Sequence, residues 1–190
     1  MTSRGIAPAI GAATIVGCAA VRACTRRGLL VLALSGLPSV RSARAGLPAP
    51  SGEVVLRVSG AIDCANADGA ALFDLGLVDS LGTDRLRTWT PWTDGEPLFE
   101  GVLGRRLMSA VCARGERAVA RARNDYATDI PLEDFRRWPV LLATRMDGAR
   151  LQLRDKGPIW VIYPWADYPE LNNRLTRQKS IWQLASLVIE

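Results

Sequence analysis

Histidine is missing from all 190 residues. That absence excludes a histidine-ligated metal site and a Ser-His-Asp triad, and with them most zinc and hydrolase chemistries. Acidic residues are missing from positions 1–45, which hold six arginines. Removing that stretch leaves 24 − 6 = 18 basic and 19 acidic residues, a net charge of −1 for residues 46–190. The overall +5 therefore belongs to the N-terminal stretch and gives no reason to expect nucleic acid as a partner. Beyond residue 45 no apolar run is long enough to span a bilayer. Repeats and low-complexity segments are missing too.

The N-terminal stretch reads as an export signal. Thr25-Arg26-Arg27-Gly28-Leu29-Leu30 opens a twin-arginine-like region, residues 29–37 form a short apolar segment, and Ala43-Arg44-Ala45 supplies an A-x-A cleavage site before Gly46. The competing reading, one anchoring helix, meets Arg22, Arg26 and Arg27 inside its apolar runs. The expectation is cleavage after Ala45 and a periplasmic domain over 46–190. Of four cysteines, Cys64 and Cys112 remain in that domain. In an oxidising compartment they are free to pair. Alternatively, Cys112 lies buried as a thiol on an apolar helix face beside Val111.

About 145 residues suit one domain with one substantial core. Residues 53–59 and 117–123 alternate as strands, the latter pairing Ala/Val with Arg as a half-buried strand does. Residues 72–81 place Leu72, Leu75, Val78 and Leu81 at helical spacing, and 103–112 is amphipathic. Residues 85–90 and 97–102 flank a turn at Thr93-Asp94-Gly95, and 140–145 and 150–153 flank Asp147-Gly148 as a hairpin. Pro131 opens a short helix. Residues 157–164 read as a buried strand entered through Gly157 and Pro158, Gly157 admitting a close neighbour because it lacks a Cβ. Short strands with two or three helices predict an α+β fold.

The order of these blocks resembles the molybdopterin-binding domain of sulfite-oxidase-like oxidoreductases. Phe99-Glu100-Gly101-Val102-Leu103 with Leu107-Met108 is similar to the family's first block, Asp125-Tyr126-Ala127 to its second, and Asp147-Gly148 to its hairpin. The segment from Gly157 to Pro164, then Ile181-Trp182-Gln183-Leu184 with Ile189-Glu190, completes the series over residues 53–190. The resemblance implies mixed β-sheets with a few short helices around a pterin pocket. It also implies a cysteine ligand to molybdenum, and the matching segment, Arg87 to Gly95, contains none. Trp160 stands where the family's arginine would be. These departures point away from metal redox catalysis. The expected ligand is a pterin, molybdopterin among the options, with no metal and no catalytic residue.

A pterin is a flat bicycle that needs aromatic faces, an acceptor for its amino edge, and cations near any charged tail. The residues expected to meet those needs are Trp92, Asn124, Asp125 and Tyr126, together with Arg154, Lys156, Trp160 and Arg177. Trp92 and Asp125 lead, Trp92 because a loop aromatic beside Pro91 has no obvious packing return. Trp182 reads as core, and Arg154-Asp155-Lys156 reads equally well as a solvated turn. The chain is also similar to short, exported, cysteine-less members of the fold, the periplasmic pterin-binding regulators of membrane cyclic-di-GMP enzymes. That similarity implies a membrane cyclase/phosphodiesterase or a sensor kinase as partner. The alternatives are a molybdopterin oxidoreductase with an atypical metal site and a protein–protein module that has lost its ligand.

Overall fold

Alternating arginine and alanine places Ala118, Ala120 and Ala122 in the core and Arg117 and Arg121 in solvent, and this strand lies second from the edge of a five-stranded sheet. In the computed structural model, which describes residues 46–190, the elements are β1 (Leu56–Gly60), β2 (Ala70–Phe73), α1 (Leu75–Ser80), β3 (Asp84–Arg87) and β4 (Leu98–Leu103). They continue with α2 (Gly104–Ala110), β5 (Arg117–Ala122), β6 (Ala127–Pro131), α3 (Leu132–Arg137), β7 (Leu141–Met146) and β8 (Ala149–Arg150). The chain closes with β9 (Trp160–Ile162), α4 (Arg174–Lys179) and β10 (Leu184–Ile189). The export signal expected over residues 1–45 lies outside the described residues.

One sheet has the order β2-β1-β10-β5-β6, with β1 and β10 parallel and the other pairs antiparallel. The second runs β3-β4-β7, and the far edge of β7 is shared by β8 at Arg145–Met146 and β9 at Leu141–Ala143. One mixed and one antiparallel sheet with four helices of six or seven residues make an α+β fold. Ile159, Trp160, Val161, Ile162 and Tyr163 are all essentially inaccessible. Val161 joins the main core while Trp160 and Ile162 join a second cluster with Phe99 and Leu141, so β9 is buried on both faces. This explains an uninterrupted apolar run where a one-sided strand would alternate. Gly157 is packed against the Leu151 backbone carbonyl, which a Cβ would strike.

Several expectations shift. Residues 72–81 do not form one helix: Ala70–Phe73 pairs with β1, and α1 begins only after Asp74. Asp74 caps that helix by accepting from the Leu77 amide at 2.7 Å, and its second carboxylate oxygen accepts from the Ser51 and Gly52 amides at 2.7 Å each. The competing local hydrogen bonds of an aspartate outweigh the helical spacing of the leucines. The strand expected at 53–59 starts at Leu56, and that at 85–90 ends at Arg87. The second hairpin arm shrinks to β8 and turns into a 3-10 segment at Leu153–Asp155.

The likeness to cysteine-less relatives also needs correction. The chain has four cysteines, and Cys64 and Cys112 are joined in a disulfide with Cα atoms 5.3 Å apart. Cys112 follows the end of α2 and is partly exposed, so it is not a buried thiol on the helix face.

Candidate functional site

A cleft of about 370 Å³ opens between the β5–β6 turn, α4, the segment leading to β10, and Trp92. Each wall is fixed by local chemistry. Trp92 sits in the turn between β3 and β4, where its amide donates to the Thr90 hydroxyl at 3.1 Å and the Thr90 and Thr93 hydroxyls meet at 2.9 Å. Its indole is half-buried and lies edge-on to Trp182, with ring centroids 5.3 Å apart and planes at 80°. Trp160 and Trp165 support it from below at 6.1 and 6.4 Å. Trp92 therefore has a packing return that the sequence does not reveal: it closes the main core and forms the cleft wall at once.

The β5–β6 turn supplies Asn124 and Tyr126. Asn124 Oδ1 accepts from the Tyr126 amide at 3.2 Å, and the Tyr126 hydroxyl donates to the Gln178 carbonyl at 3.1 Å, which fastens the turn to α4. Asn173 caps α4 by accepting from the Thr176 amide at 3.0 Å. The helix presents Arg174, Arg177 and Gln178 to the cleft. Arg177 donates to Asn172 Oδ1 at 2.7 Å, and Arg174 has no carboxylate partner among the described residues. No aspartate or glutamate lines the cleft. The combination is two indoles and a phenol, two side-chain amides, and two guanidinium groups.

Four of the expected residues meet here: Trp92, Asn124, Tyr126 and Arg177. The other four do not line it. Asp125 occupies the left-handed position of the turn at φ 64°. Its side chain is 89% exposed, with only Arg121 nearby at 3.8 Å. Trp160 is 1% exposed; it is packed edge-on against Phe99 at 5.6 Å and donates from Nε1 to the Ser180 carbonyl at 3.4 Å. It holds the cleft floor rather than contacting its contents. Arg154 is 85% exposed on the 3-10 turn. Lys156 lies 5.4 Å from the centre of the Trp160 ring, and its carbonyl accepts from Gln183 at 3.0 Å.

The wall residues beyond that expected set are Ala122, Arg174, Gln178, Ser180, Ile181 and Trp182. The signal for Trp182 was its place in the Ile181-Trp182-Gln183-Leu184 block. Behind the cleft, Asp134 accepts from the Tyr163 hydroxyl at 2.8 Å and from Lys179 Nζ at 2.9 Å, tying α3 and the end of β9 to the C-terminal turn of α4. Burial, helped by the Asp134 charge and hydrogen bond, pushes the Tyr163 phenol well above its ordinary value. Among the described residues no group of three or more acidic or cysteine side chains gathers as a metal-binding cluster. No helix among them is long and apolar enough to cross a membrane.

No family model matches the chain, and no curated protein matches it. Among solved structures it overlays on the sulfane dehydrogenase SoxCD from Paracoccus pantotrophus with a TM-score of 0.49 and 15% identity. The overlay covers 70% of this chain and 37% of that one, so the chain spans little more than a third of that structure. A likeness of this extent fixes neither the family of the chain nor its chemistry.

Proposed function

We propose that residues 46–190 form an exported, periplasmic pterin-binding domain of sulfite-oxidase-like fold. It acts as a ligand sensor or carrier for a membrane signalling partner, without metal redox catalysis. The observation that carries this reading is the cleft wall itself. The indoles of Trp92 and Trp182 offer faces to a flat heterocycle, and the Asn124 and Gln178 amides offer acceptors and donors to its edge. Arg174 and Arg177 stand where a polar or charged tail would emerge. Because no carboxylate lines the cleft, the acceptor for the pterin's amino group is the amide oxygen of Asn124 or Gln178 and not Asp125.

The residues fit the organic pterin better than a molybdenum centre with a protein thiolate. Cys64 and Cys112 are bonded to each other, and neither lines the cleft. No step is therefore assigned to a metal. The disulfide also supports an oxidising compartment. Expression of the full chain followed by fractionation tests the export reading. The protein is expected in the periplasm, and retention in the cytoplasm overturns that part.

Calorimetric titration with tetrahydro-, dihydro- and oxidised pterins tests the ligand. Saturable heat is expected for at least one, and Trp92→Ala should weaken it by about tenfold to a hundredfold through loss of a stacking face. A folded protein that gives no heat with any of them sinks the proposal.

A further inference from the structure

A second and larger cleft, about 510 Å³, lies between α2, the turn that follows it, α3 and the loop at residues 61–64. We propose that it binds an organic anion: a phosphate or polycarboxylate head on an apolar body. Its rim carries Arg105, Arg114 and Arg136 against one carboxylate, Asp63, a lining charge of 3 − 1 = +2. The domain over residues 46–190 is net 18 − 19 = −1. The lining is therefore positive against a nearly neutral domain, as the wall of the first cleft is.

The three arginines differ in how far they are engaged. Arg114 is paired with Asp63. Arg136 has only a loose exposed contact with Glu133 at 3.6 Å. Arg105 has no hydrogen-bond or ion-pair partner among the described residues. Two guanidinium groups are thus available for a bidentate grip on a phosphate or carboxylate. Beneath them Met108, Leu132 and Phe135 form an apolar floor. A bare phosphate occupies only a few water volumes of about 30 Å³ each, so the space accommodates a head group with a body attached.

The walls are also held in place before any ligand arrives. The Cys64–Cys112 disulfide joins the loop to the end of α2, and the Arg114 amide donates to the Ala61 carbonyl at 2.9 Å. The Cys64 amide donates to the Val111 carbonyl at 3.2 Å, and Ile62 and Ala113 form a β-bridge. A site already in shape loses less ordering entropy on binding.

The test uses the purified protein with 1-naphthyl phosphate, inorganic phosphate and phosphatidylglycerol vesicles. Naphthyl phosphate is expected to saturate, to bind about tenfold tighter than inorganic phosphate because of the floor, and to weaken as salt is raised. Arg105→Glu should weaken it by roughly tenfold or more with an unchanged melting temperature, since Arg105 supports nothing else. Arg174→Ala, an exposed change confined to the first cleft, should leave it untouched, which separates this site from the first cleft and from the pterin reading. Vesicle co-sedimentation lost in Arg105→Glu would identify the source of the anion as a lipid headgroup; naphthyl phosphate binding without it identifies a soluble one. The proposal is overturned by the absence of saturable binding to naphthyl phosphate and to the vesicles, by binding that Arg105→Glu does not change, or by loss of binding in Arg174→Ala.

Discussion

Asp74 joins the start of α1 to the chain around Ser51 and Gly52. It is buried, and amides of Leu77, Gly52 and Ser51 all point at it. Led by the Leu77 and Gly52 hydrogen bonds, these hold its carboxyl below the ordinary value of 3.8, against the opposing effect of burial. A carboxyl with a lowered folded-state pKa contributes stability above its unfolded value and loses it as pH falls through the folded one. Thermal melts should therefore show this contribution intact from pH 7 to about pH 5 and fading below about pH 4. Asp74→Asn should lower the melting temperature at pH 7 and flatten the acid decline. The Asn amide cannot accept from both Leu77 and the Ser51–Gly52 pair, and its NH2 would face their N–H groups.

Tyr163 presents the opposite sign. Its raised phenol pKa means that the neutral form stabilises the fold below the unfolded value near 10 and that the contribution is lost as pH rises. In a spectrophotometric titration the native protein should stay short of the full phenolate signal until it unfolds. Tyr163→Phe should remove that late step.

At the scale of elements, α4 is the part least visible in the sequence and most important to the first cleft. Arg174–Lys179 has no apolar period, and Leu175, its one large hydrophobe, is 66% exposed. The helix stands because Asn173 caps it, Tyr126 holds its Gln178 carbonyl, and Lys179 is anchored on Asp134. All three are tertiary or capping effects that periodicity does not register. By contrast β5, α2, α3 and the β7–β8 turn follow directly from alternation, amphipathic spacing, a leading proline and an Asp-Gly pair. Lys179→Met should cost about 1–3 kcal/mol, between an exposed and a fully buried pair, since the two side chains are 20% and 17% exposed. Denaturant unfolding measures that cost. If α4 positions the ligand, pterin affinity should fall in the same variant at temperatures where it remains folded.

Over the whole molecule, the first cleft joins stretches around residues 92, 124 and 180, whose meeting depends on sheet order and not on any local pattern. That is why the aromatic and basic candidates were legible as residue types while their sorting was not. Asp125 faces solvent because its turn position is left-handed, and Trp182 packs against the second core cluster, as expected, while also lining a wall. The disulfide is the other long-range tie. It closes a loop with a sequence separation of 48, for which the chain-entropy relation gives about 4 kcal/mol. A domain of this size has a total stability of only about 5–15 kcal/mol, so this one bond is a large share of it. Cys64→Ser with Cys112→Ser should lower the unfolding free energy in urea by about 2–4 kcal/mol. The same loss should follow treatment of the unmodified protein with dithiothreitol. Should the double variant match the oxidised protein, the loop at 61–64 is held by its backbone hydrogen bonds to Val111 and Ala61 alone, and the second cleft keeps its shape without the covalent link.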